Sequence, residues 1–213
     1  RRGLALSTLG DIDQQTLAGA LSTGTHGTAV RYGPIASSVI GLELVTASGE
    51  VVTCSAEEEP EIFACARVGL GALGVITKVT LQCEPAFRMH TIEEPFPFDE
   101  ALAAWPTTIA EHDHVDSYWF PHSDVMTVKR SSRTDRPIRV KSRYKQWRDD
   151  VLIGNYAFGA LAAYGRRRPS QVPKVARTVA NGMGRVEKVD VSYRVFCTPR
   201  LIRFVEMEYA IPR

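Results

Sequence analysis

A chain of 213 residues, 44% of them hydrophobic, has material for one large domain or two modest ones. Its formal net charge of +2 provides no global field to gather nucleic acid. Cys54, Cys65, Cys83 and Cys197 contain no C-x-x-C pair and no short cysteine–histidine spacing, which argues against zinc and a disulfide framework and for buried thiols in a reducing compartment.

Residues 1–33 are rich in Gly, Thr, Ser and Ala and read as loop and short turns. "VIGLELVT" (39–46), the turn "ASGE" and "EVVTC" (50–54) read as a β-hairpin. Ser55 and Glu58 have capping-box spacing, and Pro60 suits a first helical turn. The helix "PEIFACARVGL" then places Ile62, Phe63, Ala66 and Leu70 on one side. "GALG" ends it, and "VITKVTLQC" (75–83) alternates, with Val75, Thr77, Val79, Leu81 and Cys83 on one face of a strand. A composition shift near residue 85 divides a first block, 1–85, from a second, 86–213. There a proline-rich crossing leads into a helix around 99–112, and 115–122 and 125–130 read as strands. Residues 129–148 read as a basic loop, 151–165 as an apolar helix, and 169–183 as mixed with helical character. "DVSYRVF" (190–196) and "RFVEMEYAI" (203–211) read as closing strands. The termini, Arg1-Arg2 without a methionine and Ile211-Pro212-Arg213 after an apolar run, read as cuts through a longer chain.

Two glycine clusters stand out. "GLGALG" (69–74) matches G-x-G-x-x-G, but a dinucleotide fingerprint needs a strand before it and a helix after it. Here the order is reversed, so helix termination and tight backbone packing are the better reading. "STGTHGT" (22–28) follows a second small-residue run, "LGDIDQQTLAGAL". Such backbone can lie against a planar ligand or its phosphates, with N–H groups and the hydroxyls of Thr16, Ser22, Thr23 and Thr25 as donors, or it can simply pack on itself.

"LGDIDQQTLAGALSTGTHGT", "GLELVTASGEVVTCS", "FACARVGLGALGVITKVTLQC" and "FVEMEYAIPR" together resemble the aldonolactone oxidoreductases, vanillyl-alcohol-oxidase-type flavoproteins acting on gulono-, galactono- and arabinonolactones. The resemblance implies an α+β fold: the second half of a two-subdomain FAD-binding (PCMH-type) domain, then part of an antiparallel-sheet substrate cap. It implies FAD as cofactor, held by Gly10, Thr16, Gly19, Ser22, Thr23, Gly24, Thr25, His26 and Gly27, with Val75 and Ile76 at its other end. Thr16 is the side chain expected near the flavin's reactive face. A glycine at the Gly10 position is expected to admit O₂ to the flavin edge. The family's catalytic Glu/Arg pair is expected beyond Arg213, and the loop that often bears the covalent flavin before Gly3. The implied activity of the intact protein is oxidation of a sugar lactone by hydride transfer to flavin. The alternative is an inactive fragment serving only as a binding module.

His112, His114 and Asp116 would share one face of an extended "HDHVD", but histidines near a helix end are usually just solvated, and no metal is expected. Nine Lys and Arg side chains between 129 and 148 face a single carboxylate in that stretch, Asp135. Solvated loop is the plainer reading; an apolar helix with basic flanks over 129–168 would alternatively touch an anionic membrane surface, with the protein otherwise cytoplasmic. Nucleic acid is not expected as a partner.

Overall fold

The computed structural model describes residues 2–29, 31–203, 205 and 207–209. Helices and antiparallel sheets are mixed: β1 (Leu4–Ala5) pairs β5 (Glu84–Pro85), and a three-stranded sheet runs in the order β3 (Val51–Ser55), β2 (Val39–Val45), β4 (Val75–Leu81). A four-stranded sheet follows in the order β7 (His114–Trp119), β8 (Val125–Thr134), β6 (Arg88–Pro97), β9 (Val186–Val191).

The β2–β3 hairpin forms as expected. Its turn carries Gly49 at φ +84°, a conformation that a side chain would strain. β4 departs from the expected alternation. Leu44 pairs with Ile76 but Glu43 pairs with Lys78, so Thr77 is an extra residue, a β-bulge. The bulge reverses parity, and Ile76 joins Val79 and Leu81 against the first core while Val75 is 70% exposed. The Thr77 hydroxyl donates to Glu43 O at 3.1 Å and helps satisfy the disturbed ladder.

The first core gathers Leu21, Ile35, Leu42, Leu44, Cys54 and Phe63 between this sheet, α1 (Leu17–Ser22) and α2 (Pro60–Ala66). Pro60 opens α2, as its fixed φ favours. Ser55 does not cap that helix: its hydroxyl accepts from the N–H groups of Glu57 and Glu58, closing a turn of its own, and Glu59 enters the helix at φ +47°. The helix stops at Ala66, earlier than expected, so Leu70 leaves the apolar side and is 77% exposed at φ +52°.

On one face of the four-stranded sheet, Val115, Met126 and Val128 pack with Ala101 and Trp105 of α3 (Phe98–Glu111). β9 accompanies β6 only as far as Glu93, and Pro95 and Pro97 lie beyond, where no neighbour needs their missing N–H on that side. The basic stretch is not one loop. β8 extends to Thr134, and α4 (Arg143–Trp147) runs into helix wound with i→i+5 bonding over Arg148–Ala157, then α5 (Phe158–Arg167). α6 (Val172–Gly182) follows, and "DVSYRVF" splits into the end of β9 and a short helix, α7 (Ser192–Phe196). Of "RFVEMEYAI", Arg203, Val205, Met207, Glu208 and Tyr209 are not in a strand, and its other residues lie outside the described ones.

Candidate functional site

The two glycine clusters, some forty residues apart in sequence, meet at Ser22. Leu70 N donates to Ser22 O at 3.1 Å, and Ser22, Gly69, Gly71, Gly74 and Ile76 line a common cavity of about 10 Å³. Gly74, at φ +143°, lies so close to Val45 that a β-carbon would stand 2.3 Å from its carbonyl oxygen. This is the close backbone packing expected of "GALG".

Residues 8–11 cross residues 25–27. A β-carbon on Gly27 would fall 2.3 Å from Thr8 Oγ1 and 2.7 Å from Leu9 O, and one on Gly10 would fall 2.8 Å from Thr25 Cγ2. Gly27 is therefore required by the chain's own crossing, where a β-carbon would meet the Leu9 carbonyl, whereas at Gly10 the near atom is a Thr25 methyl that can shift. Gly24 turns at φ +71° beside Val68, and Gly19 lies in α1 under the Thr16 hydroxyl. Thr16 Oγ1 caps α1 by accepting Gly19 N–H at 3.1 Å. Thr23 Oγ1 donates to Gly19 O at 3.0 Å, and Thr25 Oγ1 to Gln15 Oε1 at 3.0 Å. Gly10, Thr16, Gly19 and Ser22–Gly27 thus converge. Ile76 joins them through the cavity wall and core, whereas Val75 points to solvent.

The donor chemistry at the crossing fits a diphosphate-bearing cofactor. Among the described residues, the N–H groups of Gly10, Asp11, Asp13 and His26–Thr28 meet no acceptor, and the buried Thr8 hydroxyl has no partner. Open backbone donors on small-residue loops are what a phosphate requires. His26 has partners: Nδ1 lies 2.8 Å from Gly27 O and Nε2 2.7 Å from Glu208 Oε1. The Gly27 carbonyl raises its pKa most, burial opposes this, and Glu208 adds to the rise.

The second half reaches this crossing through residues that sequence reasoning missed. Cys197 Sγ donates to Gly10 O (3.4 Å), Thr198 N to Asp11 O (2.8 Å), and Arg200 Nη2 to Asp11 Oδ2 (3.3 Å). No local pattern announces a contact between residues 187 apart. Arg133 also bridges the halves, bidentate to Glu84 at 2.6 and 2.7 Å, with its guanidinium 3.9 Å from the Phe87 ring centre and 5.5 Å from that of Tyr32. Its hydrogen bond holds the Glu84 carboxyl below its usual range.

The sheet face opposite α3 is polar. His114, Asp116 and Tyr118 on β7 stand beside Ser131, Lys129 and Thr127 on β8. Lys129 pairs with Asp116 at 3.3 Å, and Thr91 and Ser131 share a hydrogen bond at 3.0 Å. Burial pushes the Tyr118 phenol up and the Lys188 ammonium down. His114 is buried between Tyr32 and Phe196 (ring centres 5.6 and 4.8 Å), and among the described residues neither ring nitrogen finds a partner. Burial lowers its pKa to about 4. His112 faces away and bonds Ser132, so the "HDHVD" trio does not converge. Among the described residues no group of three His, Cys, Asp or Glu could hold a metal ion.

Five of the nine basic side chains in the stretch meet carboxylates from outside it. Lys129 meets Asp116, Arg130 meets Glu94, Arg133 meets Glu84, and Lys141 and Arg148 share Asp149. Among the described residues, no helix is long and apolar enough to cross a membrane.

Residues 79–213 match the family described as D-arabinono-1,4-lactone oxidase, and residues 1–55 match the FAD binding domain. An L-gulono-1,4-lactone dehydrogenase of Mycobacterium tuberculosis is 37% identical over 217 residues, covering 100% of this chain and 49% of that protein. An L-gulonolactone oxidase of Scyliorhinus torazame is 37% identical over 82% of this chain and 39% of its own length. A D-arabinono-1,4-lactone oxidase of Yarrowia lipolytica is 32% identical, over 84% and 34%. The chain thus spans about half, or less, of these curated relatives. A solved cholesterol oxidase variant from Brevibacterium sterolicum superposes with a TM-score of 0.61 at 18% identity, covering 89% of this chain and 41% of that one, a likeness of fold alone.

Proposed function

Given that the chain belongs to the D-arabinono-1,4-lactone oxidase family, we propose that the intact protein oxidises an aldono-1,4-lactone of the L-gulono-1,4-lactone type. FAD is the cofactor, and when bound it supplies the hydride acceptor. The observation that carries the reading is the crossing of residues 8–11 with 25–27. It leaves a run of backbone N–H groups open on a segment matching the FAD binding domain. Gly10, Gly19, Gly24 and Gly27 keep side chains away from the cofactor and the crossing. Open N–H groups at Gly10, Asp11 and His26–Thr28 would hold its phosphates. Thr16, Ser22, Thr23 and Thr25 shape the wall, and Val75 and Ile76 close its far end. We divide the work at residue 85: residues 1–85 hold flavin, and 86–213 contribute to the substrate cap.

The experiment is purification of the intact protein, followed by flavin absorbance and turnover of L-gulono-1,4-lactone and D-arabinono-1,4-lactone. Bound flavin reduced by one of these lactones is expected, with flavin lost in Gly24→Val because added bulk meets Val68 and φ +71° excludes a β-branched residue. Absence of flavin overturns the cofactor placement, and flavin that no lactone reduces leaves only a binding role. For the electron acceptor we favour O₂. Gly10→Ala would then slow reoxidation by O₂ while turnover with an artificial acceptor persists. Equal oxygen rates in both proteins exclude a gate at Gly10.

Peripheral membrane contact belongs to the same proposal. Tyr144, Trp147, Ile153 and Tyr156 are all at least half exposed, and Arg143, Lys145 and Arg166–Arg168 flank them. Anionic vesicles should retain the protein, and Arg143, Lys145 and Arg148 changed together to Glu should release it. Failure of the parent to bind vesicles removes this element.

A further inference from the structure

Asn155 is only 4% exposed and its side chain is bonded at both ends. Nδ2 donates to Asp150 O at 2.6 Å and to Pro199 O at 3.1 Å, and Oδ1 accepts Leu201 N–H at 2.7 Å. It sits where the helix widens to i→i+5 bonding, a distortion that forgoes regular ladder geometry and often marks a functional position. Gly154 beside it already lies close to Asp149, where a β-carbon would be 3.1 Å from the carbonyl oxygen.

The segment that Asn155 grips has no secondary structure. From it Cys197, Thr198 and Arg200 reach Gly10 and Asp11, and Arg200 Nη1 also donates to Thr198 Oγ1 at 2.8 Å. Taken singly these contacts are weak. Asp11 is 65% exposed at its side chain, and an ion pair so placed stabilises little. A buried, fully bonded amide is the firm end of the chain of contacts, because leaving its partners unpaired is costly. The line therefore runs from Asn155 through residues 198–201 to Gly10–Asp11, and from Gly10 to Thr25.

We propose that Asn155 is a positioning residue for the cofactor loop: by clamping residues 199–201 it holds Gly10 and Asp11 in the arrangement that retains the bound flavin. This rests on the placement of Gly10 at the cofactor given above. Asn155 touches neither flavin nor substrate in this account and acts only through the clamp.

The test uses the intact holoenzyme and reads FAD dissociation and the visible circular dichroism of bound flavin, neither of which requires turnover. Asn155→Ala is expected to speed FAD loss about tenfold, the scale of one buried hydrogen-bond network broken. Asp11→Ala removes only the exposed ion pair with Arg200 and leaves the bonds to the Gly10 and Asp11 carbonyls, so it should speed FAD loss less, about twofold. The double variant should lose FAD no faster than the worse single one, since both break the same line. Ser123→Ala is the structural control: Ser123 is buried and bonds Phe120 O and Val125 O, with no link to the loop, so it should lower Tm and leave FAD loss unchanged. An Asn155→Ala protein that behaves like the control overturns the proposal, as does additivity of Asn155→Ala with Asp11→Ala. If neither variant alters FAD loss while lactone still reduces the flavin, Gly10–Asp11 is not at the cofactor, and the underlying placement fails first. Should Asn155→Ala not fold, Asn155→Asp is read by the same outcomes, since it keeps the acceptor for Leu201 N–H and leaves Pro199 O unpaired.

Discussion

At Gly27 and Gly74, chain segments approach until a β-carbon would overlap a backbone oxygen, at 2.7 and 2.3 Å. On the four-stranded sheet and its seam, contact is made instead by the far ends of long side chains: Arg133 on Glu84, Lys129 on Asp116, Arg130 on Glu94. The first kind of contact has no freedom to relax, because backbone meets backbone. The second can swing, re-pair or take up water. Substitutions should therefore cost most in the glycine region and grade down across the sheet.

Gly74→Ala should show the largest effect. It forces a β-carbon against the Val45 carbonyl at φ +143°, and strain plus overpacking should cost about 3 kcal/mol or more. Denaturant unfolding of the two proteins measures this. A loss under about 1 kcal/mol would break the contrast between the regions.

Arg133→Ala should cost less, about 1 kcal/mol, since both partners remain partly hydrated. The pair also sets a pH dependence. Glu84 has its folded pKa depressed, so its contribution is present above the unfolded value and is lost as pH falls through the folded one. Acid unfolding of Arg133→Ala should show a shallower slope in that window; an unchanged slope assigns it to other carboxylates.

His114→Phe removes a polar group that, among the described residues, has no partner to lose. Stability at neutral pH should change by less than about 1 kcal/mol in either direction. The folded pKa of about 4 lies below the ordinary 6.5, so between these values the unfolded chain binds the extra proton. The parent should lose stability as pH falls from 6.5 towards 4, and His114→Phe should lose less. Equal losses would show that His114 is not buried neutral.

The smallest effect is expected at His26 and Glu208, which are 47% and 69% exposed at their side chains. The folded pKa of His26 is raised, so the contact contributes below the unfolded value and fades as pH rises through the folded one. Proton NMR titration of His26 should give a higher pKa in the parent than in Glu208→Gln. Identical titrations would remove Glu208 as a partner.

Local rules were enough where contacts are local. The hairpin at 46–50, the proline-opened helix at 60 and the glycine-marked close approaches at 10, 24, 27 and 74 are all legible in residue type, because turn geometry and missing β-carbons act within a few residues. The same glycines did not reveal how much of that closeness the chain uses against itself: Gly27 abuts Thr8 and Leu9, and Gly10 abuts Thr25. Parity in β4, the exposure of Leu70 and the use of Ser55 for a turn also escaped the pattern. A one-residue bulge and a helix end four residues early depend on how the strand and helix meet the sheet.

Sequence alone determined the class of fold and the family likeness, because both are written in short runs whose sterics hold in any context. Tertiary structure alone decided which carboxylates meet the basic stretch, which face of the second sheet is polar, and what braces Gly10–Asp11. Those outcomes join residues far apart, Arg133 with Glu84, Asn155 with Pro199 and Cys197 with Gly10, and such pairings exist only once loop closure has brought the segments together.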